Sequence, residues 1–178
     1  MQGAAKTFGD AFGQIVWLLS QSRIHRELKI KDLEWSFMPA VQNQQFRIFR
    51  FGPLPGADAS KAAPPGLDKK AIEALPLGVA IWGRLSEEAE KKLEQGTRLD
   101  PGDWNSGDRL WLIELVSPYA TPENKLGDAM LLDLIKGPFR ESRFFLHRTD
   151  PETGKREKIK MEAHLNATAS ADAGIGSP

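Results

Sequence analysis

The segment Leu110–Val116, L-W-L-I-E-L-V, is the most strongly apolar stretch of this sequence. A short apolar run rich in branched side chains is typical of a strand that is covered on both faces. Such a strand lies inside a sheet, with further strands beside it and helices packed above and below. The other segments of the chain must therefore supply the neighbours of this central strand.

Hydrophobic periodicity predicts those neighbours. Alternating apolar residues favour strands, and apolar residues three and four apart favour helices. The order of elements, with mixed hairpins and one crossover, predicts an α+β (mixed α/β) fold. The predicted strands beside Leu110–Val116 are Asp32–Met38, Gln45–Phe51, Gly78–Leu85, Arg143–Arg148 and Glu157–Leu165. The predicted helices are Phe8–Ser20, Leu126–Lys136 and a third one that begins after its N-cap Ser86 and ends at Gln95-Gly96.

The length of 178 residues predicts a single domain, which we place at residues 1–165. Within it, residues 52–76 hold five prolines and three glycines. Such a composition buries little apolar surface, so we expect a mobile surface insertion there. Residues 166–178 are rich in Ala, Ser and Gly and predict a disordered tail.

Composition excludes several classes of function. Lys+Arg and Asp+Glu both number 24, so the overall charge favours neither nucleic acid nor membrane. The absence of cysteine excludes a thiol nucleophile, disulfides and thiolate metal sites. The three histidines lack metal-binding spacing, so we expect no metal. The apolar run Phe12–Leu19 is far shorter than the ~20 residues of a membrane span, and we expect a cytoplasmic protein.

His25 lies just beyond the predicted end of the first helix, in the stretch S-Q-S-R-I-H-R-E-L (Ser20–Leu28). A histidine there is favoured by the helix dipole, so the pattern alone leaves both a capping role and a catalytic role open. His147 and His164 fit strand patterns and are interpreted as structural. The segment around His25 has more basic than acidic side chains: Arg23, Arg26, Lys29 and Lys31 against Glu27 and Asp32.

The stretch Asp103–Arg109, D-W-N-S-G-D-R, leads directly into the central strand. Asn, Ser, Gly and Asp are typical of a turn, and Gly107 permits a tight one. Asp108 would lie at the mouth of the strand. The residues alone leave open whether this stretch is only a turn or part of a site.

Three stretches together resemble a known family: V-W-L-L-S-Q-S-R-I-H-R (Val16–Arg26), M-P-A-V-Q-N-Q-Q-F (Met38–Phe46) and D-W-N-S-G-D-R-L-W-L-I-E-L-V-S-P-Y (Asp103–Tyr119). The chain resembles the RTX toxin-activating lysine acyltransferases, the haemolysin or cytolysin activator family, from about residue 13 to residue 165. The S-x-x-H and S-G-D-R-x-W pieces are the specific ones.

This resemblance implies a GNAT-like fold, with a central, mostly antiparallel sheet flanked by helices. It also implies transfer of a fatty acyl group from acyl-acyl carrier protein to internal lysines of an RTX protoxin, which activates the toxin. No tightly bound cofactor is implied. The family's essential histidine falls on His25, its essential aspartate on Asp108, and the serine three residues before the histidine on Ser22.

The chemistry suits these residues. A lysine ammonium, with an ordinary pKa of about 10.4, must lose a proton before it attacks a thioester, and an imidazole can take that proton. A carboxylate at Asp108 would orient the imidazole of His25. Ser22 could be an acyl-enzyme nucleophile or a positioning hydroxyl, and we prefer direct transfer with Ser22 as the positioning group. Arg23 and Arg26 would dock the acidic carrier protein.

Two other hypotheses belong to different classes. One is a non-catalytic GNAT-like module that binds a carrier protein or a secreted RTX protein. The other is a CoA-dependent acetyltransferase, against which the stretch Ser117–Asp128 argues because it has no glycine-rich pyrophosphate loop. The carrier's phosphopantetheine arm would lie where Leu110–Val116 and Arg143–Arg148 diverge. An exposed Phe/Trp strand edge would be compatible with a homodimer.

Overall fold

A computed structural model describes residues 7–50, 75–149, 153 and 155–162 of the chain. The predicted tail 166–178, and all but the last two residues of the predicted insertion 52–76, lie outside the described residues. No helix in the described part is both long enough and apolar enough to cross a membrane.

The described helices and strands follow the predicted order, with one exception. The helices are α1 (Phe8–Gln21), α2 (Leu33–Ser36), α3 (Met38–Gln42), α4 (Glu87–Glu94) and α5 (Leu126–Lys136), with short 3-10 turns at Ile30–Asp32 and Pro101–Trp104. The strands are β1 (Phe46–Phe49), β2 (Gly78–Leu85), β3 (Arg109–Val116), β4 (Arg143–Thr149) and β5 (Arg156–Glu162).

The five strands form one sheet in the order β1-β2-β3-β4-β5. All neighbours are antiparallel except β3 and β4, which run parallel and are joined through α5. The strand predicted to be central, β3, is the middle strand. Helices around a mostly antiparallel sheet confirm the α+β class and fit the expected GNAT-like fold.

Helices cover both faces of the sheet. On one face, Ile15 and Leu18 of α1 pack in a cluster that includes Trp111 of β3. On the other face, Met130 and Leu134 of α5 are fully buried in a second cluster. Both clusters run the length of β3, which explains its nearly continuous apolar sequence.

The strand predicted at Asp32–Met38 is wrong, because this segment forms a 3-10 turn followed by α2 and the start of α3. The apolar residues Leu33 and Phe37 alternate as in a strand, but their spacing of four also places them on one helical face. Both are buried, and the Phe37 N–H donates to the Leu33 carbonyl. The Ser36 hydroxyl donates to the Asp32 carbonyl at 2.6 Å, which closes another helical turn.

A β-bulge interrupts the pairing of β2 with β3. Ile81 pairs with Glu114, whereas the next residue, Trp82, pairs with Leu112. Ile113 is therefore the extra residue on β3. On the other side of β3, the parallel pairing with β4 is limited to Trp111 with Phe145 and Leu112 with Leu146. The two strands thus part beyond Leu112, at the position of the bulge.

Candidate active site

The end of α1 positions His25. The helix stops at Gln21, and Ser22 adopts an extended backbone that turns the chain. The N–H of His25 donates to the Ser22 carbonyl at 3.2 Å, and the carbonyl of His25 accepts from Leu28 at 2.9 Å. The imidazole edge packs on the buried ring of Phe37, with ring centroids 6.0 Å apart. Only 14% of the His25 side chain is exposed, so its orientation is fixed.

Both ring nitrogens of His25 have a polar neighbour. Nδ1 lies 2.8 Å from the hydroxyl oxygen of Ser22. Nε2 lies 3.5 Å from Oε2 of Glu114, whose side chain is 41% exposed. A hydroxyl, an imidazole and a carboxylate in contact form the arrangement that proteins use to move protons during acyl transfer.

The bulge at Ile113 turns Glu114 toward His25. Trp111, Ile113 and Val116 pack on the face that α1 covers, whereas Leu112 and Leu115 pack on the α5 face. Regular alternation from Ile113 would place the next side chain on the α5 face. The extra residue instead leaves the side chain of Glu114 on the α1 face, where it meets His25.

The structure does not bring Asp108 to His25. Asp108 is an exposed residue directly before β3, whereas Glu114 is near the other end of the strand. Six residues at ~3.3 Å each place the Cα atoms of Asp108 and Glu114 about 20 Å apart along the strand. The carboxylate beside the imidazole is that of Glu114, and the role of Asp108 stays a prediction.

The S-G-D stretch forms a tight turn against the end of β2. The N–H groups of Ser106 and Gly107 both donate to the Arg84 carbonyl, at 2.8 and 3.0 Å. The Ser106 hydroxyl accepts from the Ser86 N–H and donates to the Asp103 carbonyl. A Cβ on residue 107 would lie 2.5 Å from the carbonyl oxygen of Leu85, so only glycine fits. These contacts give Ser106 and Gly107 a structural role in the turn.

Arg23 and Arg26 are exposed on either side of His25. Arg26 pairs with Glu27 at 3.4 Å, and both side chains are mostly in solvent, so the pair adds little stability. Neither arginine holds His25 in place, and both are available to an approaching molecule.

The histidine on β4 has a different environment. His147 packs against Trp111 with the two rings tilted and their centroids 5.0 Å apart. Burial, with a contribution from the charge of Arg156, lowers the pKa of His147. This fits the structural interpretation, and His164 lies outside the described residues. Within the described ranges, no three His, Asp or Glu side chains cluster closely enough to hold a metal ion.

A buried carboxylate at Glu90 joins α4 to β3 and β5. Its oxygens accept from Arg109 at 2.6 Å, from the Trp111 indole at 2.9 Å and from Lys158 at 3.0 Å. Burial alone would raise the pKa of Glu90, but the bonds from Lys158 and Trp111 outweigh it, and the pKa lies below its usual value. The sequence analysis did not identify this network, which fixes α4 on the sheet.

Glu114 is not among the predicted site residues, although the sequence holds a signal for it. Glu114 is the one charged residue inside the apolar run Leu110–Val116. A charged side chain is rarely placed in a central strand unless it has a partner. The partner is His25, which the sequence gives no means of locating.

Comparison with known proteins places this site in a family. The family model of the RTX toxin acyltransferases matches residues 4–63 and 70–163. The chain belongs to the RTX toxin acyltransferase family. Both His25 and Glu114 lie within the matched residues.

Several curated relatives are similar over long stretches. The RTX-II toxin-activating lysine-acyltransferase ApxIIC of Actinobacillus pleuropneumoniae is 27% identical over 124 residues, which are 69% of this chain and 60% of that protein. The leukotoxin-activating lysine-acyltransferase LktC of Pasteurella haemolytica-like sp. (strain 5943B) is 31% identical over 111 residues, 62% of this chain and 54% of that protein. The chain thus spans less than two thirds of the length of these two relatives.

A longer match covers most of the chain. The protein-lysine myristoyltransferase HlyC of Escherichia coli is 26% identical over 162 residues, which are 88% of this chain and 78% of that protein.

Proposed function

We propose that this protein is a protein-lysine acyltransferase that moves a fatty acyl group from acyl-acyl carrier protein to lysines of an RTX protein. The observation that carries the proposal is the contact of His25 with both Ser22 and Glu114 at the divergence of β3 and β4. The relatives' names, which include toxin-activating lysine acyltransferases and a protein-lysine myristoyltransferase, support the same reaction.

His25 acts as the general base in this proposal. If Nδ1–H donates to the Ser22 oxygen, the lone pair of Nε2 points toward Glu114. The carboxylate of Glu114 attracts the lysine ammonium to this place, and Nε2 takes its proton as the amine attacks. The resulting imidazolium is stabilised by Glu114, which takes the role that the resemblance gave to Asp108.

The reaction is balanced without further reactants. The lysine nitrogen forms a bond to the thioester carbon, and the carbon–sulfur bond breaks. Starting from the ammonium, the nitrogen gives up two protons: one passes through His25 to solvent, and the other goes to the leaving thiolate. The products are an amide, the free carrier thiol and one proton. A thiolate is a good leaving group, so the site needs no strong acid beside the sulfur.

Ser22 has a positioning role in this direct transfer, because it fixes the tautomer of His25. The opposite tautomer, with Nε2–H donating to Glu114, would make Ser22 the nucleophile and give an acyl-enzyme. We prefer direct transfer because the Nε2–Glu114 distance of 3.5 Å is longer than a normal hydrogen bond. An ammonium that lies beside this pair is within hydrogen-bond reach of both groups.

The divergence of β3 and β4 beyond Leu112 gives the donor's phosphopantetheine arm a place to lie. The start of α5, where a CoA pyrophosphate would bind, is unsuited to it. The N–H of Leu126 already donates to the side chain of Asn124 at 3.0 Å, and Asp128 adds a negative charge to the first turn. Both features favour a donor without a nucleotide, and a carrier-protein donor places the reaction in the cytoplasm.

Mixing the protein with acyl-acyl carrier protein and a candidate RTX protein tests this function. Mass spectrometry of the RTX protein should show the acyl mass on lysine. Tight binding of either partner with no acyl mass on lysine would favour the non-catalytic module instead. Acetylation with acetyl-CoA in the absence of carrier protein would favour the CoA-dependent enzyme.

A further inference from the structure

Two isoleucines in the chain segment that carries His25 are almost fully exposed. Ile24 is 83% exposed and Ile30 is 88% exposed. Both lie in the segment between α1 and α2, residues 22–32, which we name the His25 loop. The two other large apolar side chains that stand out as exposed in the described part, Phe8 and Leu132, are only about half exposed, at 46% and 49%. Single exposed apolar residues are ordinary, but two in one short loop at a reaction centre favour an interaction surface.

The His25 loop also carries a local positive charge. Four basic side chains, all exposed, stand against two acidic ones, which leaves an excess of two positive charges if His25 is neutral. The basic residues alternate with the exposed isoleucines along the chain. A partner for this surface must supply apolar contacts and negative charge together. The basic residues are Arg23, Arg26, Lys29 and Lys31.

The length of each substrate's reactive arm decides which macromolecule can contact the His25 loop. A lysine side chain extends about 6 Å from its Cα, so the backbone that carries the acceptor lysine must pass close to His25. A phosphopantetheine arm extends about 16 Å, so its carrier protein can dock well away from the imidazole. Ile24 is the chain neighbour of His25, with Cα atoms about 3.8 Å apart. The surface next to His25 is therefore in reach of the acceptor.

We propose that the His25 loop binds the acceptor polypeptide through Ile24 and Ile30, and that the segment flanking the target lysine is acidic and apolar. This inference rests on the proposed function, because it assigns the acceptor of that same site. It also gives Arg23 and Arg26 a contact with the acceptor in place of the carrier protein. Acidic flanks would offset the repulsion between the loop and the incoming ammonium.

Synthetic peptides with a central lysine test this proposal. Three peptides are compared, in which the residues on both sides of the lysine are acidic residues and leucine, basic residues and leucine, or acidic residues and serine. With acyl-acyl carrier protein as donor, the acidic–leucine peptide should have the lowest KM. The double variant Ile24→Ser/Ile30→Ser should raise that KM at least about tenfold, with the KM of the acyl donor unchanged. Leu132→Ser, which removes an exposed apolar side chain on α5, is the matched control and should change neither.

Three outcomes would overturn the proposal. A rise in the KM of acyl-acyl carrier protein, with the peptide KM unchanged, would mean that the carrier docks on the isoleucines. If the wild type binds anionic vesicles and the double variant does not, the isoleucines contact a membrane instead of the acceptor. No change in either KM would mean that the isoleucines contact neither substrate.

A binding measurement separates this inference from the proposed reaction. Fluorescence anisotropy of the labelled acidic–leucine peptide needs no acyl transfer. If the wild type binds the peptide and the double variant does not, the result supports acceptor binding by the His25 loop even if no lysine is acylated. If the peptides are acylated with no preference for acidic and apolar flanks, the result supports the proposed reaction and overturns acceptor binding by the His25 loop.

Discussion

Nε2 of His25 lies 3.5 Å from Oε2 of Glu114, across the space between the end of α1 and the middle strand of the sheet. The contact depends on the extra residue Ile113, which keeps Glu114 on the α1 face. Two segments that are far apart in the sequence thus meet at one imidazole.

Replacing Glu114 by Gln should lower kcat by about 10²- to 10⁴-fold, because the imidazolium that forms during the reaction loses its stabilising charge. Steady-state acyl transfer to the RTX protein measures the change. Asp108→Asn is the matched control: it removes a carboxylate directly before the same strand and should change kcat less than about twofold. A large loss in the Asp108 variant with a small one in the Glu114 variant would reverse the assignment.

Replacing Ser22 by Ala should lower kcat about tenfold, since the hydroxyl holds the Nδ1 side of the ring but forms no bond to the acyl group. Intact-protein mass spectrometry of the wild type, mixed with donor and no acceptor, should show no acyl adduct. Ser20→Ala, which changes an exposed serine of α1, should behave as the wild type. An acyl adduct on Ser22 that a later addition of acceptor removes would establish an acyl-enzyme.

Replacing Gly107 by Ala should destabilise the fold by about 2 kcal/mol, because the new Cβ would meet the Leu85 carbonyl at 2.5 Å. Thermal unfolding should show a lower Tm, with kcat of the folded fraction unchanged. At Gly102 a Cβ would meet nothing within 4 Å, so Gly102→Ala should leave Tm unchanged. Lost activity at full stability for the Gly107 variant would give the turn a catalytic role.

Replacing Glu90 by Gln should lower the free energy of unfolding at pH 7 by about 2 kcal/mol, since Arg109 and Lys158 lose their shared partner. The pKa of Glu90 is lowered in the folded protein, so its contribution is complete above the ordinary carboxyl pKa of about 4.3 and is lost as the pH falls below it. Denaturant unfolding from pH 7 to pH 3 should show the difference from wild type shrink on acidification. Glu88→Gln, which changes an exposed neighbour on α4, should leave the free energy of unfolding at pH 7 unchanged. A difference between Glu90→Gln and wild type that stays constant to pH 3 would contradict the linkage.

The sequence predicts most of the fold because the hydrophobic periods are strong. The bounds of α5 agree with the prediction at Leu126–Lys136, where apolar spacing and the following Gly137-Pro138 are unambiguous. The short segment Asp32–Met38 was assigned to the wrong class, because Leu33 and Phe37 satisfy both the strand and the helix period. Packing against the cluster on the α1 face decides between helix and strand, and a short stretch of sequence does not reveal that packing.

The site was predicted only in part. His25 and Ser22 lie three residues apart at the end of a helix, so local sequence is enough to place them together. The resemblance gives the orienting carboxylate to Asp108, which lies exposed directly before β3. Glu114 reaches His25 only through a one-residue bulge, and a bulge reverses the alternation from which side-chain direction is inferred.

The central claim is that His25 removes the proton from an acceptor lysine during acyl transfer. A single-turnover reaction with enzyme in excess over acyl-acyl carrier protein, followed by mass spectrometry of the RTX protein, tests it most directly. The wild type should place the acyl group on lysine, and His25→Gln should do so at least about 10²-fold more slowly, with an unchanged circular dichroism spectrum. Acylation by the His25→Gln protein at a rate within about threefold of the wild type would contradict the account.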